Sequence, residues 1–342
     1  MTSLSTKLAD LERAGKPVQV GIIGTGKFGS MYISQSHHTA ARKAREAGII
    51  YSMAYGDQPA LIAEMVDWAR TAGFEVVCAG KGTKHLPVYH YSTPDTVWNH
   101  YGFTKEQLAG GDFNPQMFNS FLDGTKSALE MAAVANGCDL SPPTNGLGFP
   151  PCGVWDLPNV LKPINDGGQL EKTGTVEVVS CMEKDVDGFS TIYDGASTWY
   201  AAQYKPYHLI GLELGISVAT IMVRGEPTGQ TKTWAGDVVA TAKRDLKAGE
   251  TLDGEGGFTV YGKLVTAEDS MAIEGLPIGL AHGFVLKHDV QKDHGLTWQD
   301  VEYSEKTQAV AIRKEMEAMF KQEFQAQKSG GVNGLNGVNG VH

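Results

Sequence analysis

Asn119, Asp123 and Lys126 stand at i, i+4 and i+7 in a segment whose apolar residues, Phe118, Phe121, Leu122, Leu129 and Met131 to Val134, predict a helix from Asn114 to Asn136. The spacing places the three polar groups on one side, bordering the core. A lysine partly desolvated there beside a carboxylate can polarise a substrate oxygen or supply a proton. The plain alternative is a surface Asp–Lys pair worth roughly 0.3 kcal/mol. More basic groups follow a strand-like run, in the polar stretch Lys81 to His90, where Lys81 and Lys84 suit an anionic phosphate or carboxylate. Catalytic work is therefore expected of Lys126, Asp123, Asn119, Lys81 and Lys84. Asp57 and Gln58 leave another strand-like run, with Asp57 equally suited to capping the helix that Pro59 begins. Lys205 and His208 open a further predicted helix at Tyr204 to Ile221, where His208 also reads as a core histidine. With His90, these four residues form the expected substrate-binding set.

A second chemistry lies near the N-terminus, where an apolar run from Val18 to Ile23 meets Gly24-Thr25-Gly26-Lys27-Phe28-Gly29. In this G-x-G-x-x-G pattern Gly24 permits a tight turn, Gly26 lets backbone approach a pyrophosphate, and Gly29 allows close helix packing. The expected ligand is NADP or NAD, held across residues 24–29; the alternative is a glycine-rich structural turn. The elements that follow are a helix at Thr39 to Gly48, a strand at Ile49 to Tyr55, a helix at Pro59 to Ala72 and a strand at Phe74 to Ala79. Glu46 has the spacing of a ribose-binding acid but falls on a helix. Only three strands are predicted, against about six in a doubly wound dinucleotide domain. The expectation is therefore an internal deletion or a natural polypeptide longer than 342 residues.

Composition sets the limits on partners. A net charge of −10 without a basic run argues against nucleic acid or an anionic membrane as a main partner. No apolar run approaches the roughly 18 residues of a membrane span, and the N-terminus is unlike a secretory signal, so a cytoplasmic location is expected. Cys78, Cys138, Cys152 and Cys181 lack metal or disulfide spacing and read as reduced thiols. A divalent metal is left open without any ligand pattern to support it.

From Gly236 to Tyr303 hairpin-like runs predict a separate β-rich module, followed by a charged helix at Lys306 to Gln327 and a flexible tail at Ser329 to His342. Together, Gly24 to Gly29, Ala54-Tyr-Gly-Asp-Gln-Pro-Ala60, Ala79-Gly-Lys-Gly-Thr-Lys84, Asn119 to Lys126, Pro150-Pro-Cys-Gly153, Pro206 to Gly215 and the run Val239 to Leu252 resemble the homoserine-dehydrogenase-like oxidoreductases that carry a C-terminal SAF domain. That family includes an enzyme similar in activity to deoxyxylulose-phosphate reductoisomerase, which uses NADPH in the non-mevalonate isoprenoid route. The resemblance implies that Gly24, Gly26 and Gly29 hold cofactor phosphates and that Asp123 and Lys126 take the places of a catalytic Asp and Lys. The family spaces those two residues four apart, whereas here they are three apart. Most of the family's dinucleotide domain after Gly29 is absent, and Glu183 to Asp194 is short for its central region.

The expected fold is α/β: a shortened Rossmann-type domain at residues 1–80, a central α+β substrate domain at 81–223, a SAF-like β module at 224–303, a helix at 304–328 and a tail at 329–342. The expected function is hydride transfer between nicotinamide and a small, anionic carbonyl or alcohol substrate, in a homodimer, with Asp123 orienting Lys126. The alternative is a non-catalytic nucleotide- or sugar-binding protein on a degenerate dehydrogenase scaffold.

Overall fold

The computed structural model describes residues 3–16, 18, 37–111, 113–181 and 200–330. The glycine-rich segment Gly24 to Gly29, the strand expected before it, Glu183 to Asp194 and residues 331–342 lie outside the described residues. In chain order the main helices are α1 (Leu4–Arg13), α2 (His37–Glu46), α3 (Gln58–Thr71), α4 (Pro115–Leu122), α5 (Thr125–Cys138), α6 (Leu214–Arg224), α7 (Ala267–Ile273) and α8 (Gln308–Gly330). The strands are β1 (Cys78–Thr83), β2 (Pro151–Cys152), β3 (Thr175–Cys181), β4 (Gly236–Ala242), β5 (Val260–Thr266), β6 (Val285–Leu286) and β7 (Val301–Glu302).

The centre is α5. Thirteen of its residues are buried and only Lys126 is not, so this helix is enclosed rather than amphipathic. On one side lies a parallel sheet in the order β1-β3-β2, with Cys78 opposite Thr175, Thr83 opposite Ser180 and Pro151 also opposite Ser180. On another lies the antiparallel pair β4–β5, running from Gly236 opposite Thr266 to Ala242 opposite Val260. Val176 and Val178 of the sheet, Leu129 and Val134 of α5, Val238 and Leu264 of the hairpin, and Trp298 all belong to one core cluster. The β-rich region therefore shares its core with the central region instead of standing apart. Side chains stitch the two regions together: Asn136 binds the backbone of Ala235 and Gly236, and the Thr125 hydroxyl accepts from Gly262 N–H at 2.8 Å.

Several expectations shift. Residues 49–54 form no strand, because the Met53 and Tyr55 N–H groups go to Gly229 and to the Ser217 hydroxyl instead of to a sheet. Among the described residues no strand precedes Cys78 and no complete Rossmann fold is seen, and β1 crosses the expected boundary at residue 80. Lys81 therefore stands on a strand and not in a loop. Residues 204–213 are not helical, and α6 begins only at Leu214. Within the region of expected hairpin-like runs, residues 245–252 form no strand but a turn-rich segment bridged at Leu246 and Thr251. The terminal helix takes in Ser329 and Gly330, two residues expected in the tail.

The single helix expected from Asn114 to Asn136 is two. Asp123 ends α4 and Gly124, at φ 88°, begins α5 in the left-handed region. An added Cβ at Gly124 would also come 3.2 Å from His90 Cε1. Gly124→Ala is expected to lower stability by about 1–2 kcal/mol, read as a lower midpoint in urea; an unchanged midpoint would mean that the break relaxes freely.

Candidate active site

Glu130 stands one turn beyond Lys126 on the enclosed helix α5, where an unpaired carboxylate would be costly. Two ammonium groups meet it. Lys126 Nζ lies 2.6 Å from Glu130 Oε1, and Lys81 Nζ, reaching across from β1, pairs with Glu130 Oε2. Side-chain exposures of 6% for Glu130, 12% for Lys81 and 21% for Lys126 leave the last as the member most open to a ligand. Burial pushes the Glu130 pKa up, but Lys81 and Lys126 outweigh it and hold the carboxyl below its ordinary range. For Lys126, burial works against the charge, while Glu130, Asp57 and Glu255 together hold the ammonium above the ordinary lysine value. It stays a cation at neutral pH.

The cluster continues through α3. With the Gln58 amide oriented to satisfy all its neighbours, its nitrogen donates to Glu130 Oε1 at 3.2 Å and Asp57 Oδ1 at 2.7 Å, and its oxygen accepts from His208 Nε2 at 3.1 Å. His208 Nδ1 lies 3.2 Å from the Gly56 carbonyl oxygen. The two expected substrate-side residues Gln58 and His208 are thus joined to Lys81 and Lys126 through one carboxylate. Asp57 caps α3, accepting from Gln58 N–H at 3.0 Å, and also contributes to the field at Lys126. Lys205 sits to the side, 3.4 Å from Glu213 and over the Tyr55 ring at 5.2 Å.

Other expected members have different work. Asp123 does not orient Lys126: the helix break turns it inward, where its carboxylate meets Lys243 Nζ at 2.8 Å and caps α5 by accepting from Thr125 N–H at 2.9 Å. Asn119 is fully buried, and its amide donates to the Ser92 and Gly256 carbonyls. His90 Nδ1 donates to the Asp123 carbonyl at 2.8 Å and its ring stacks on Tyr261, so it braces the helix break. Lys84 is exposed and donates to the His100 carbonyl at 2.7 Å, away from Glu130. Glu130 lies beyond the residues expected from the sequence, although a lone acid four residues after Lys126, inside Ala-Leu-Glu-Met-Ala-Ala, carries the spacing of a helical ion pair in an apolar run.

Among the described residues no group of three or more His, Cys, Asp or Glu could hold a metal, and no helix is long and apolar enough to cross a membrane. Cys78, Cys138 and Cys152 form no disulfide, and the Cys181 side chain lies outside the described residues.

Residues 56–214 match the family model described as the catalytic domain of oxidoreductase DRL, and residues 237–302 match the SAF domain. Gln58, Lys81, Lys126, Glu130 and His208 all fall within the first match. No curated protein matches the chain.

Proposed function

We propose that this chain, an oxidoreductase with a C-terminal SAF domain, transfers a hydride between NADPH or NADH and a small anionic carbonyl or alcohol compound. The observation that carries the reading is the pair of ammonium groups, Lys81 and Lys126, held on the buried Glu130 carboxylate inside the oxidoreductase match. The reduced nicotinamide, when bound, supplies the hydride. The donor set fits that chemistry, because reduction of a carbonyl builds negative charge on oxygen and a preorganised ammonium stabilises the charge where it develops. Lys126 is the group to meet that oxygen, being the more exposed cation. Glu130 fixes both lysines, and Gln58, itself held by His208, fixes Glu130 from the other side. The cofactor phosphates are assigned to Gly24, Gly26 and Gly29, on residues outside those described. Homoserine-dehydrogenase-like and reductoisomerase-like substrates both supply the carbonyl and the anionic group that this donor set favours.

The test is consumption of NADPH and NADH against polyol phosphates and hydroxy or keto acids. Lys126→Met keeps the length and apolar stem of the side chain, and it is expected to lower kcat about 100-fold, equivalent to roughly 2.7 kcal/mol, with cofactor affinity measured by calorimetry nearly unchanged. A folded Lys126→Met protein with near-normal kcat would sink this role. Binding of nucleotide without turnover of any compound would favour the non-catalytic binder instead.

A further inference from the structure

The segment that carries His208 lies against the turn into α3. Gly56 adopts φ 100°, and a Cβ there would stand 2.8 Å from the Leu209 carbonyl oxygen, so only glycine lets the two stretches meet this closely. Glu213 holds the segment in shape, accepting from Leu209 N–H at 3.0 Å and pairing with Lys205 at 3.4 Å. The approach leaves each nitrogen of the half-buried His208 ring facing an oxygen. Nδ1 is 3.2 Å from the Gly56 carbonyl, and Nε2 is 3.1 Å from the Gln58 amide oxygen. Neither oxygen can donate, so both contacts are hydrogen bonds only when both nitrogens carry a proton, as in the imidazolium. The two oxygens differ in freedom. The Gly56 carbonyl is fixed backbone, whereas the Gln58 amide can turn end for end about its last side-chain bond.

We propose that the Gln58 amide is a two-position switch that reads the charge of His208 and passes it to Glu130, and through Glu130 to Lys126. With the ring protonated, the Gln58 oxygen accepts from Nε2, and its nitrogen donates to Glu130 Oε1 at 3.2 Å and Asp57 Oδ1 at 2.7 Å. When the Nε2 proton leaves to solvent, Nε2 becomes an acceptor facing an acceptor, while Nδ1 keeps its proton on the Gly56 carbonyl. Turning the amide restores a bond at the ring, because the Gln58 nitrogen then stands 3.1 Å from Nε2. The same turn aims the amide oxygen at two carboxylates that can only accept. Glu130 then loses its donor on α3 and keeps Lys81 and Lys126. The repulsion falls on Oε1, the oxygen that holds Lys126 at 2.6 Å, and displaces that ammonium from its aim. The other charged groups of the network are Asp57 at the cap of α3 and, on the segment of His208, the Lys205–Glu213 pair. His208 and Gln58 are positioning residues, and their effect on turnover rests on the hydride-transfer reading.

The experiment is magnetic resonance of the full chain, with heavy nitrogen in the histidine rings and glutamine side chains, followed through pH. His208→Asn and Gln58→Leu identify the two sets of signals. The Gln58 amide is expected to move with the same midpoint as the His208 ring, and the neutral ring to carry its proton on Nδ1. A neutral ring protonated on Nε2, or a Gln58 amide that ignores the titration of the ring, overturns the switch, and neither result depends on turnover. With a reducible compound, kcat should fall about tenfold on the alkaline side of that midpoint while KM stays nearly constant, as suits the loss of one hydrogen bond to a charged group. His208→Asn and Gln58→Leu should each lose this step, the second while its His208 still titrates, a split that a merely structural role would not produce. A step of full size in Gln58→Leu overturns the passage of charge to Lys126 even with the switch observed. Failure of every compound to be reduced would instead count against hydride transfer, with the ring and amide signals still deciding the switch.

Discussion

Asp123→Ala is expected to destabilise the folded chain by roughly 3–5 kcal/mol, because it strands a buried ammonium. Lys243 and Asp123 have side-chain exposures of 2% and 0%. The ammonium has three partners: the Asp123 carboxylate at 2.8 Å, the Ser92 carbonyl at 2.8 Å and the Gly257 carbonyl at 2.7 Å. Two neutral carbonyls remain after the substitution, and they do not compensate a full charge out of water. Since natural domains hold only about 5–15 kcal/mol in total, the loss should be visible as a large drop in the urea midpoint. The pair also joins the helix break to the β4–β5 region, so the docked turn at 253–257 should loosen with it. Combining Asp123→Ala with Lys243→Met removes both charges and should recover much of the lost stability. A single-variant loss under about 1 kcal/mol would mean that water reaches Lys243.

Glu130→Leu is expected to cost a similar amount, roughly 3–5 kcal/mol, and to abolish turnover as well. The carboxylate holds one ammonium on each oxygen, so its removal leaves Lys81 and Lys126 facing each other with like charge in a poorly hydrated place. The same group gives the fold an acid limb. Because Lys81 and Lys126 overcome burial and depress the folded pKa of Glu130 below 4.5, its contribution to stability is present above that value and is lost as pH falls toward the folded pKa. Thermal unfolding followed from neutral pH into acid should therefore fall less steeply in Glu130→Leu than in the wild-type chain. Parallel curves would mean that Glu130 titrates alike in the folded and unfolded states.

The sequence by itself determined the pieces that depend on near neighbours. The helices at 37–46 and 58–71 follow from apolar spacing and caps, with Asp57 and Pro59 opening the second, and the β-rich character after Gly236 follows from its residue types. Lys126, Lys81, Gln58 and His208 were legible as chemistry-bearing residues because each is a polar group set beside an apolar run. The partnerships among them were decided by tertiary structure. A helix from Asn114 to Asn136 satisfies apolar spacing, but Gly124 at φ 88° breaks it, with His90 and Phe149 packed beside the break. That break turns Asp123 toward Lys243, a residue 120 positions away, and leaves Lys126 to Glu130. Residues 49–54 have the composition of a strand but find hydrogen bonds at Ser217 and Gly229, which no local pattern reports.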